Sequence, residues 1–297
     1  MKIAIVVGVR PEFIKMAPFI KLCQEKKIDH YVIHTGQHYG DDMDKQFFDN
    51  FDLGTPDYVL DTHSTSPVTQ IVKMITGMEN ILSENRPDLV LVYGDSNSAM
   101  GPALACTKMG ISIGHVEAGL RSFDRTMPEE INRVVVDHIS DFLFAPTEVC
   151  KKNLTNEGIN LNRIFVTGNT VVDSIFYIKD IAKNTSKILD SLKLDSSKFS
   201  ILTLHRPSNV DDKIKLNKIL KNLDLLCDEF STKIIFPIHP RTKKNLEIFG
   251  LSIPKNIIAV PPLGYLDFVQ LQNNSQVIFT DAGSIQEEAC ILGIPCM

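Results

Sequence analysis

Short apolar runs alternate with amphipathic stretches along the first half of the chain. The runs are "KIAIVVG" (2–8), "HYVIHTG" (30–36), "DLVLVYG" (88–94), "ISIGHV" (111–116), "FLFAPT" (142–147) and "RIFVTG" (163–168). Runs of this length, mostly closed by Gly, Thr or Pro, are typical of buried strands. The segments between most of them have helical length, as in "PEFIKMAPFIKLCQEKK". This order predicts a parallel sheet covered by helices.

A second series of apolar runs follows in the last third of the chain. It consists of "FSILTLH" (199–205), "KIIFPIH" (233–239), "NIIAVPP" (256–262) and "QVIFTDAG" (276–283). The pattern predicts an α/β protein of two doubly wound, Rossmann-like domains. We expect the first domain to span residues 1–168 and the second 174–297, with a hinge near "GNTVVD" (168–173).

Composition limits the classes of function. The chain has 297 residues, 43% of them apolar and 23% charged, which is typical of a folded protein. No apolar run reaches membrane-spanning length, and the opening run stops at Arg10 without a signal-peptide cleavage site. Six scattered cysteines without a CxxC pair or a metal-ligand spacing indicate reduced thiols, a cytoplasmic protein and no metal site. A net charge of -5 without a basic block argues against nucleic-acid partners.

Ligands of open parallel sheets bind beyond the carboxyl ends of the strands, so the residues that follow each strand are the candidates for a site. After the first strand, "GVRPE" places Pro11 at a helix start, where backbone N–H groups attract anions. Arg10 and Lys15 add positive charge there, although this segment taken by itself favours the simpler interpretation of a capped helix with surface cations. Neither a GxGxxG nor a GxxxxGK[ST] motif occurs, which argues against a dehydrogenase or a nucleoside triphosphatase.

Carboxylates follow the third and fourth strands. Asp95 fits a helix N-cap, whereas Glu117 ends a strand expected to be buried, where an unpaired carboxylate is costly. Glu129 and Glu130 occupy the first turn of a predicted helix, where acids are favoured, and Arg133 is a possible partner of Glu130. Asp95, Glu117 and Glu130 around one pocket could have their pKa values pushed apart, as two-sided proton transfer requires. The residues of that helix at core-facing spacing are Ile131, Val134, Val135, His138 and Ile139.

The second half supplies groups suited to a nucleotide. Histidine and arginine follow two of its strands, and "DAGSIQEE" places small residues before a helix, where a backbone can approach a pyrophosphate. Glu288 is the candidate for binding ribose hydroxyls, with a solvated helix-face acid as the alternative. The predicted ligand is a sugar nucleotide held between two domains. The remaining candidates in this half are His205, Arg206, His239, Arg241, Gly283 and Ser284.

Ten ordered motifs resemble the non-hydrolysing UDP-N-acetylglucosamine 2-epimerases over nearly the whole chain. They are "GVRPEFIKMAP", "TGQHY", "YGDSNS", "GHVEAGLRS", "PEEINR", "APTE", "VTGNTVVD", "LTLHRPSN", "GYLDF" and "DAGSIQEEACILGIPC". The resemblance implies a glycosyltransferase-B-like fold with the active site in the interdomain cleft. It implies cytoplasmic interconversion of UDP-N-acetylglucosamine and UDP-N-acetylmannosamine, a precursor of surface polysaccharides. It also implies a homodimer, no cofactor and no membrane partner.

The resemblance also assigns roles to residues. It implies that Asp95, Glu117 and Glu130 act as acids and bases. It places His205 near the diphosphate. Elimination of UDP would produce 2-acetamidoglucal, and re-addition of UDP with a proton on the opposite face would invert C2. The substrate-binding residues that it implies are Arg10, Lys15, Gln37, His38, Arg206, His239, Arg241, Gly283, Ser284 and Glu288.

The chain departs from the family pattern at several points. Ser208 stands where many members have a glutamate, and "DAGS" replaces the usual "DSGG". The spacing after "TGQHY" differs from that of the members activated by their own substrate, so we do not expect that activation. The family continues beyond "LGIPC", so we expect the second domain to be incomplete and UDP to bind more weakly. The alternatives are a UDP-sugar glycosyltransferase, a hydrolysing 2-epimerase and an inactive UDP-sugar-binding protein.

Overall fold

The computed structural model describes residues 1–37, 51, 53–64, 66–194 and 198–297, with only the backbone of Arg10. The described chain divides into two compact units, Met1–Ser174 and Ile175–Met297. Each unit contains one sheet in which every strand pairing is parallel. The prediction of an α/β fold with two Rossmann-like sheets is therefore confirmed.

The sheet of the first unit has, among the described residues, seven strands in the order β3-β2-β1-β4-β5-β6-β7. The two-residue strand β3 was not predicted, because a run so short carries no periodicity. The strands are β1 Lys2–Val7, β2 Asp29–His34, β3 Tyr58–Val59, β4 Leu89–Tyr93, β5 Ser112–Val116, β6 Phe142–Ala145 and β7 Ile164–Val166.

Helices cover this sheet and begin and end at recognisable signals. The second begins after Ser66, whose hydroxyl accepts the N–H of Thr69, and the third ends at Gly110 in a left-handed conformation. Buried apolar side chains from β1, β4 and β5 form the core together with those helices. The helices are α1 Arg10–Lys26, α2 Pro67–Glu84, α3 Asn97–Met109, α4 Pro128–Ile139, α5 Glu148–Asn156 and α6 Thr170–Thr185, the last of which runs into the second unit.

The second unit repeats the arrangement on a smaller scale. Its described strands follow the order β10-β9-β8-β11, and Ile278 of β11 also bridges to Cys296. The strands are β8 Phe199–Thr203, β9 Lys233–Pro237, β10 Ile257–Val260 and β11 Ile278–Thr280. The helices are α7 Ile188–Ser191, α8 Pro207–Val210, α9 Lys213–Phe230, α10 Pro240–Phe249, α11 Tyr265–Asn274 and α12 Gly283–Leu292.

Helix α4 lies where the sequence predicts a helix, but the predicted core-facing side is wrong. The fully buried residues are Glu130, Asn132, Val136 and Asp137, whereas His138 is exposed. The other four predicted core residues are only half-buried: Ile131, Val134, Val135 and Ile139. Apolar spacing fails here because polar side chains on the opposite face are buried in hydrogen bonds, which compensate for their desolvation.

None of the described helices is long and apolar enough to cross a membrane.

Candidate active site

The site in the first unit lies where the strand order of its sheet reverses. Strand β1 pairs with β2 on one side and with β4 on the other, so the helices that follow β1 and β4 diverge and leave a crevice. Gly8 allows the close approach there, since a Cβ at this position would lie 1.9 Å from Thr35 Oγ1 and 2.1 Å from Ser98 Oγ. The predicted residue Asp95 follows β4, and Glu117 follows the neighbouring β5.

Glu117 has an unusual backbone conformation. Its φ of 72° lies in the left-handed region, which costs a residue with a side chain of the order of 1 kcal/mol or more. Its carboxylate forms an ion pair of 2.7 Å with Lys15 and accepts the Tyr93 hydroxyl. The side chains of Glu117 and Lys15 are each 12% exposed. The structure therefore pairs Lys15, predicted as a substrate-binding residue, with a carboxylate.

Asp95 and Glu130 are brought together by Arg133. The guanidinium donates to Asp95 Oδ2 through one nitrogen and to Glu130 Oε2, at 2.9 Å, through another. The side chain of Asp95 is 36% exposed, whereas Glu130 is 3% exposed. A Cβ on Gly94, the residue before Asp95, would lie 3.7 Å from Glu117 Oε1. The three predicted carboxylates thus lie around the ends of β4 and β5.

Glu130 is occupied by donors on both of its oxygens. It accepts the Ser122 amide and hydroxyl, both at 2.9 Å, the Phe123 amide at 3.0 Å, and Arg133. Burial alone would raise its pKa, but the hydrogen bonds from Ser122 and Phe123 and the charge of Arg133 outweigh burial and lower it. Glu130 is therefore held as a carboxylate that shapes the loop at residues 122–123.

Glu12 belongs to the same crevice although sequence reasoning did not select it. Its Oε2 accepts the amides of Gly8, at 2.7 Å, and Val9, at 3.2 Å, while Oε1 contacts the Ser96 hydroxyl. Burial raises the pKa of Glu12 to about 7, against the lowering effect of these hydrogen bonds and with a further increase from Asp95. The side chain ties the loop after β1 to the loop after β4.

Of the other predicted ligands in this unit, Gln37 lies near the crevice. Its Oε1 accepts the amide and the hydroxyl of Ser98, at 2.9 and 2.7 Å, at the start of α3. The side chain of Arg10 and the whole of His38 lie outside the described residues, so their assignment as ligands stays a prediction.

The second unit has a comparable site at its own reversal of strand order, between β8 and β11. His205 follows β8, and its Nδ1 lies 2.8 Å from Oδ1 of Asp281, which follows β11. Burial would raise the pKa of Asp281, but the Arg206 amide, the Asn209 side chain, and the amide and charge of His205 lower it. Asp281 is therefore an ionised partner that fixes the His205 ring and its flanking backbone.

The remaining predicted ligands of the second unit lie at two helix starts and in one buried cluster. His239 is the N-cap of α10, and its ring centroid is 5.7 Å from that of His205. Arg241 is bound to Asp211, with a distance of 2.9 Å from Nε to Oδ1. Glu288 is buried and accepts Gln272 Nε2 at 2.6 Å and the Tyr265 hydroxyl at 3.3 Å. The two predicted ligands at the exposed start of α12 are Gly283 and Ser284.

Comparison with known proteins identifies relatives along the whole chain. The family model described as UDP-N-acetylglucosamine 2-epimerase matches residues 20–297. A UDP-N-acetylglucosamine 2-epimerase of Methanocaldococcus jannaschii is 46% identical over 304 residues, covering 100% of this chain and 83% of the relative. The enzyme of the same description from Methanococcus maripaludis is 46% identical over 302 residues, covering 100% of this chain and 82% of the relative.

The fold has solved counterparts. The crystal structure of the M. jannaschii UDP-GlcNAc 2-epimerase in complex with UDP-GlcNAc and UDP matches with a TM-score of 0.85 and 46% identity. The match covers 100% of this chain and 83% of that one.

Proposed function

Since the chain belongs to the UDP-N-acetylglucosamine 2-epimerase family, we propose that it interconverts UDP-N-acetylglucosamine and UDP-N-acetylmannosamine without hydrolysis. The reaction proceeds by loss of UDP to 2-acetamidoglucal and re-addition of UDP. The observation that carries this proposal is the pair of carboxylates after neighbouring strands, Asp95 beside Arg133 and Glu117 beside Lys15.

The chemistry explains why two such groups are needed. The C2 proton is not adjacent to a carbonyl group and is weakly acidic, so its removal is coupled to departure of a good leaving group. A base takes the proton from C2, a C1=C2 double bond forms, and the C1–O bond breaks with its electron pair leaving on UDP. Inversion then requires an acid that delivers a proton to the other face of C2 as UDP returns.

We assign the two proton transfers to Asp95 and Glu117. Asp95 is the most exposed of the three carboxylates, and Glu117 shares its carboxylate with two proton donors, Lys15 and Tyr93. Glu130 is 3% exposed and holds four hydrogen-bond donors. Its role is therefore to orient Arg133 and the 122–123 loop, which refines the expectation that it transfers protons.

We assign binding of the departing diphosphate to residues of the second unit. His205 is backed by the ionised Asp281, an arrangement that fixes the orientation of the ring. A hydrogen bond from the His205 ring would stabilise the charge that develops on the β-phosphate oxygen as the C1–O bond breaks. The exposed start of α12 at Gly283 supplies backbone N–H groups for the same anion.

We place the enzyme in the cytoplasm. All six cysteines lie in the described part of the chain and are free thiols, and four of them are buried. Free thiols are typical of a reducing compartment. The homodimer and the part in surface polysaccharide synthesis stay predictions from the family resemblance.

The test is incubation of the protein with UDP-N-acetylglucosamine in D₂O, followed by proton NMR of C1 and C2. The proposal predicts deuterium at C2 together with the signals of UDP-N-acetylmannosamine. Free N-acetylmannosamine accumulating with UDP would instead identify a hydrolysing enzyme. Epimerisation without deuterium at C2 would refute proton exchange with solvent through the carboxylates, and an unchanged spectrum would refute the proposed activity.

A further inference from the structure

The strained turn that carries Glu117 is held from both sides by one buried side chain of α4. Asp137 is 0% exposed and accepts from His115 Nδ1 at 2.6 Å, the Gly119 amide at 3.1 Å and Arg121 Nη1 at 2.7 Å. These donors precede and follow Glu117 in the chain. A single carboxylate therefore fixes the backbone before and after the residue with φ of 72°.

The same network reaches the second proton-transfer residue. His115 Nε2 lies 2.8 Å from the carbonyl oxygen of Gly94, the residue before Asp95. Both ring nitrogens of His115 thus lie within hydrogen-bond distance of oxygen atoms, which fixes the ring between Asp137 and Gly94. The hydrogen bonds therefore run from Asp137 through His115 to Gly94, which lies between the end of β4 and Asp95.

The network is charged and closed to water. Burial alone would raise the pKa of Asp137, but the charge and hydrogen bond of His115, and then those of Arg121, lower it. The Arg121 side chain is 1% exposed and also binds Glu157 Oε1 at 2.6 Å. Such a buried, paired network is rigid, and removing one member leaves its partners unsatisfied.

We propose that Asp137, acting through His115, is a positioning residue that holds Glu117 and Asp95 at the geometry needed for proton transfer. The proposal rests on the assignment of proton transfer to those two carboxylates. Asp137 itself lies behind the turn and does not touch substrate. Misplacement of a reacting group by about 1 Å costs roughly 100-fold in rate, so loss of this support affects turnover more than binding.

The test compares Asp137→Asn with Val136→Ala. Val136 is the neighbouring residue of α4, buried at 0% exposure in the apolar core, and its truncation destabilises the unit without touching the network. We expect Asp137→Asn to lower kcat about 100-fold with KM changed less than about 3-fold. Val136→Ala is expected to keep kcat within about 3-fold once temperature is set well below unfolding.

Amide hydrogen exchange at Gly119 tests the positioning independently of turnover. The Gly119 N–H donates to Asp137, so its exchange is expected to accelerate at least about 10-fold in Asp137→Asn but not in Val136→Ala. If exchange accelerates in Asp137→Asn while the wild type shows no epimerisation, the positioning would be supported and the proposed function refuted. Unchanged exchange in Asp137→Asn would overturn the positioning whatever the activity.

A milder variant covers the case in which Asp137→Asn does not fold. His115→Gln retains one amide that can donate to Asp137 but cannot reach both Asp137 and Gly94. We expect kcat to fall about 10-fold with KM little changed. Equal kcat values for His115→Gln and Val136→Ala would overturn the proposal, because the network would then be needed for stability alone.

Discussion

The buried carboxyl of Glu12 gives the protein a pH-dependent stability that can be calculated. The pKa of Glu12 is raised from the ordinary 4.5 to about 7, first by burial. The unfolded chain releases this proton near pH 4.5, whereas the folded protein keeps it until about pH 7. The folded state therefore binds more protons across that window, and its stability falls as the pH rises.

The magnitude follows from the two pKa values. A pKa difference of about 2.5 corresponds to about 3 kcal/mol at about 1.4 kcal/mol for each pH unit. Between about pH 5 and about pH 8, the protein loses about 2.5 kcal/mol of this stabilisation. The loss is smaller than the full contribution because part of the titration of the unfolded chain occurs below about pH 5.

Glu12→Gln is the informative perturbation. Its amide oxygen can accept the Gly8 and Val9 amides, and its nitrogen can donate to Ser96, so it imitates the protonated acid. Urea unfolding gives the free energy of unfolding of the wild type and of Glu12→Gln at about pH 5 and about pH 8. In the difference between the two proteins, the titration of all other groups cancels. We expect the free energy of unfolding of the wild type to fall by about 2.5 kcal/mol relative to that of Glu12→Gln between about pH 5 and about pH 8. Glu79→Gln, at an exposed position of α2, serves as the control.

If the difference in free energy of unfolding between the wild type and Glu12→Gln stays constant within about 0.5 kcal/mol at the two pH values, the raised pKa of Glu12 would be refuted. A wild type that gains stability over Glu12→Gln as the pH rises would show that the backbone amides hold Glu12 ionised, with hydrogen bonding outweighing burial.

Three further predictions concern the crevice and the second unit. Tyr93→Phe removes the hydroxyl that donates to Glu117 and is expected to lower kcat about 10-fold in steady-state assays, and an unchanged rate would count against a role for that hydrogen bond. Gly8→Ala places a Cβ 1.9 Å from Thr35 Oγ1 and is expected to destabilise the protein by about 2 kcal/mol in urea unfolding, and a stable variant would contradict the tight approach. Asp281→Asn removes the charge behind His205 and is expected to lower kcat about 100-fold, with calorimetric UDP binding as the second measurement, and a wild-type kcat would refute the pairing.

The sequence located the strands and hence the carboxylates at their ends. Asp95 and Glu117 follow apolar runs, and parallel strands bring such positions to one edge of a sheet, which the structure confirms. Periodicity did not reveal which side of α4 is buried. The first-turn position of Glu130 predicts that it lies beside the pocket, whereas Asp137 looks like an ordinary helix acid. Only their tertiary partners show that both are buried.

Glu12 and Asp281 illustrate the same limit. Glu12 occupies a first helical turn, where an acid is expected for reasons unrelated to a site, and it lies three residues after the N-cap in the capping-box position. That spacing was the available signal, but it does not predict the contact with Ser96, 84 residues away. Asp281 follows a strand, and its pairing with His205 depends on β8 and β11 being neighbours.

Positional isotope exchange shows whether the enzyme breaks the bond between C1 and UDP during epimerisation. UDP-N-acetylglucosamine labelled with ¹⁸O in the C1–O–P bridge is incubated with the protein and followed by ³¹P NMR. Cleavage of the C1–O bond frees the β-phosphate to rotate, so we expect ¹⁸O to migrate into the non-bridging positions while epimerisation proceeds. Epimerisation with the label still entirely in the bridge would contradict this expectation, because C2 would then have been inverted without departure of UDP.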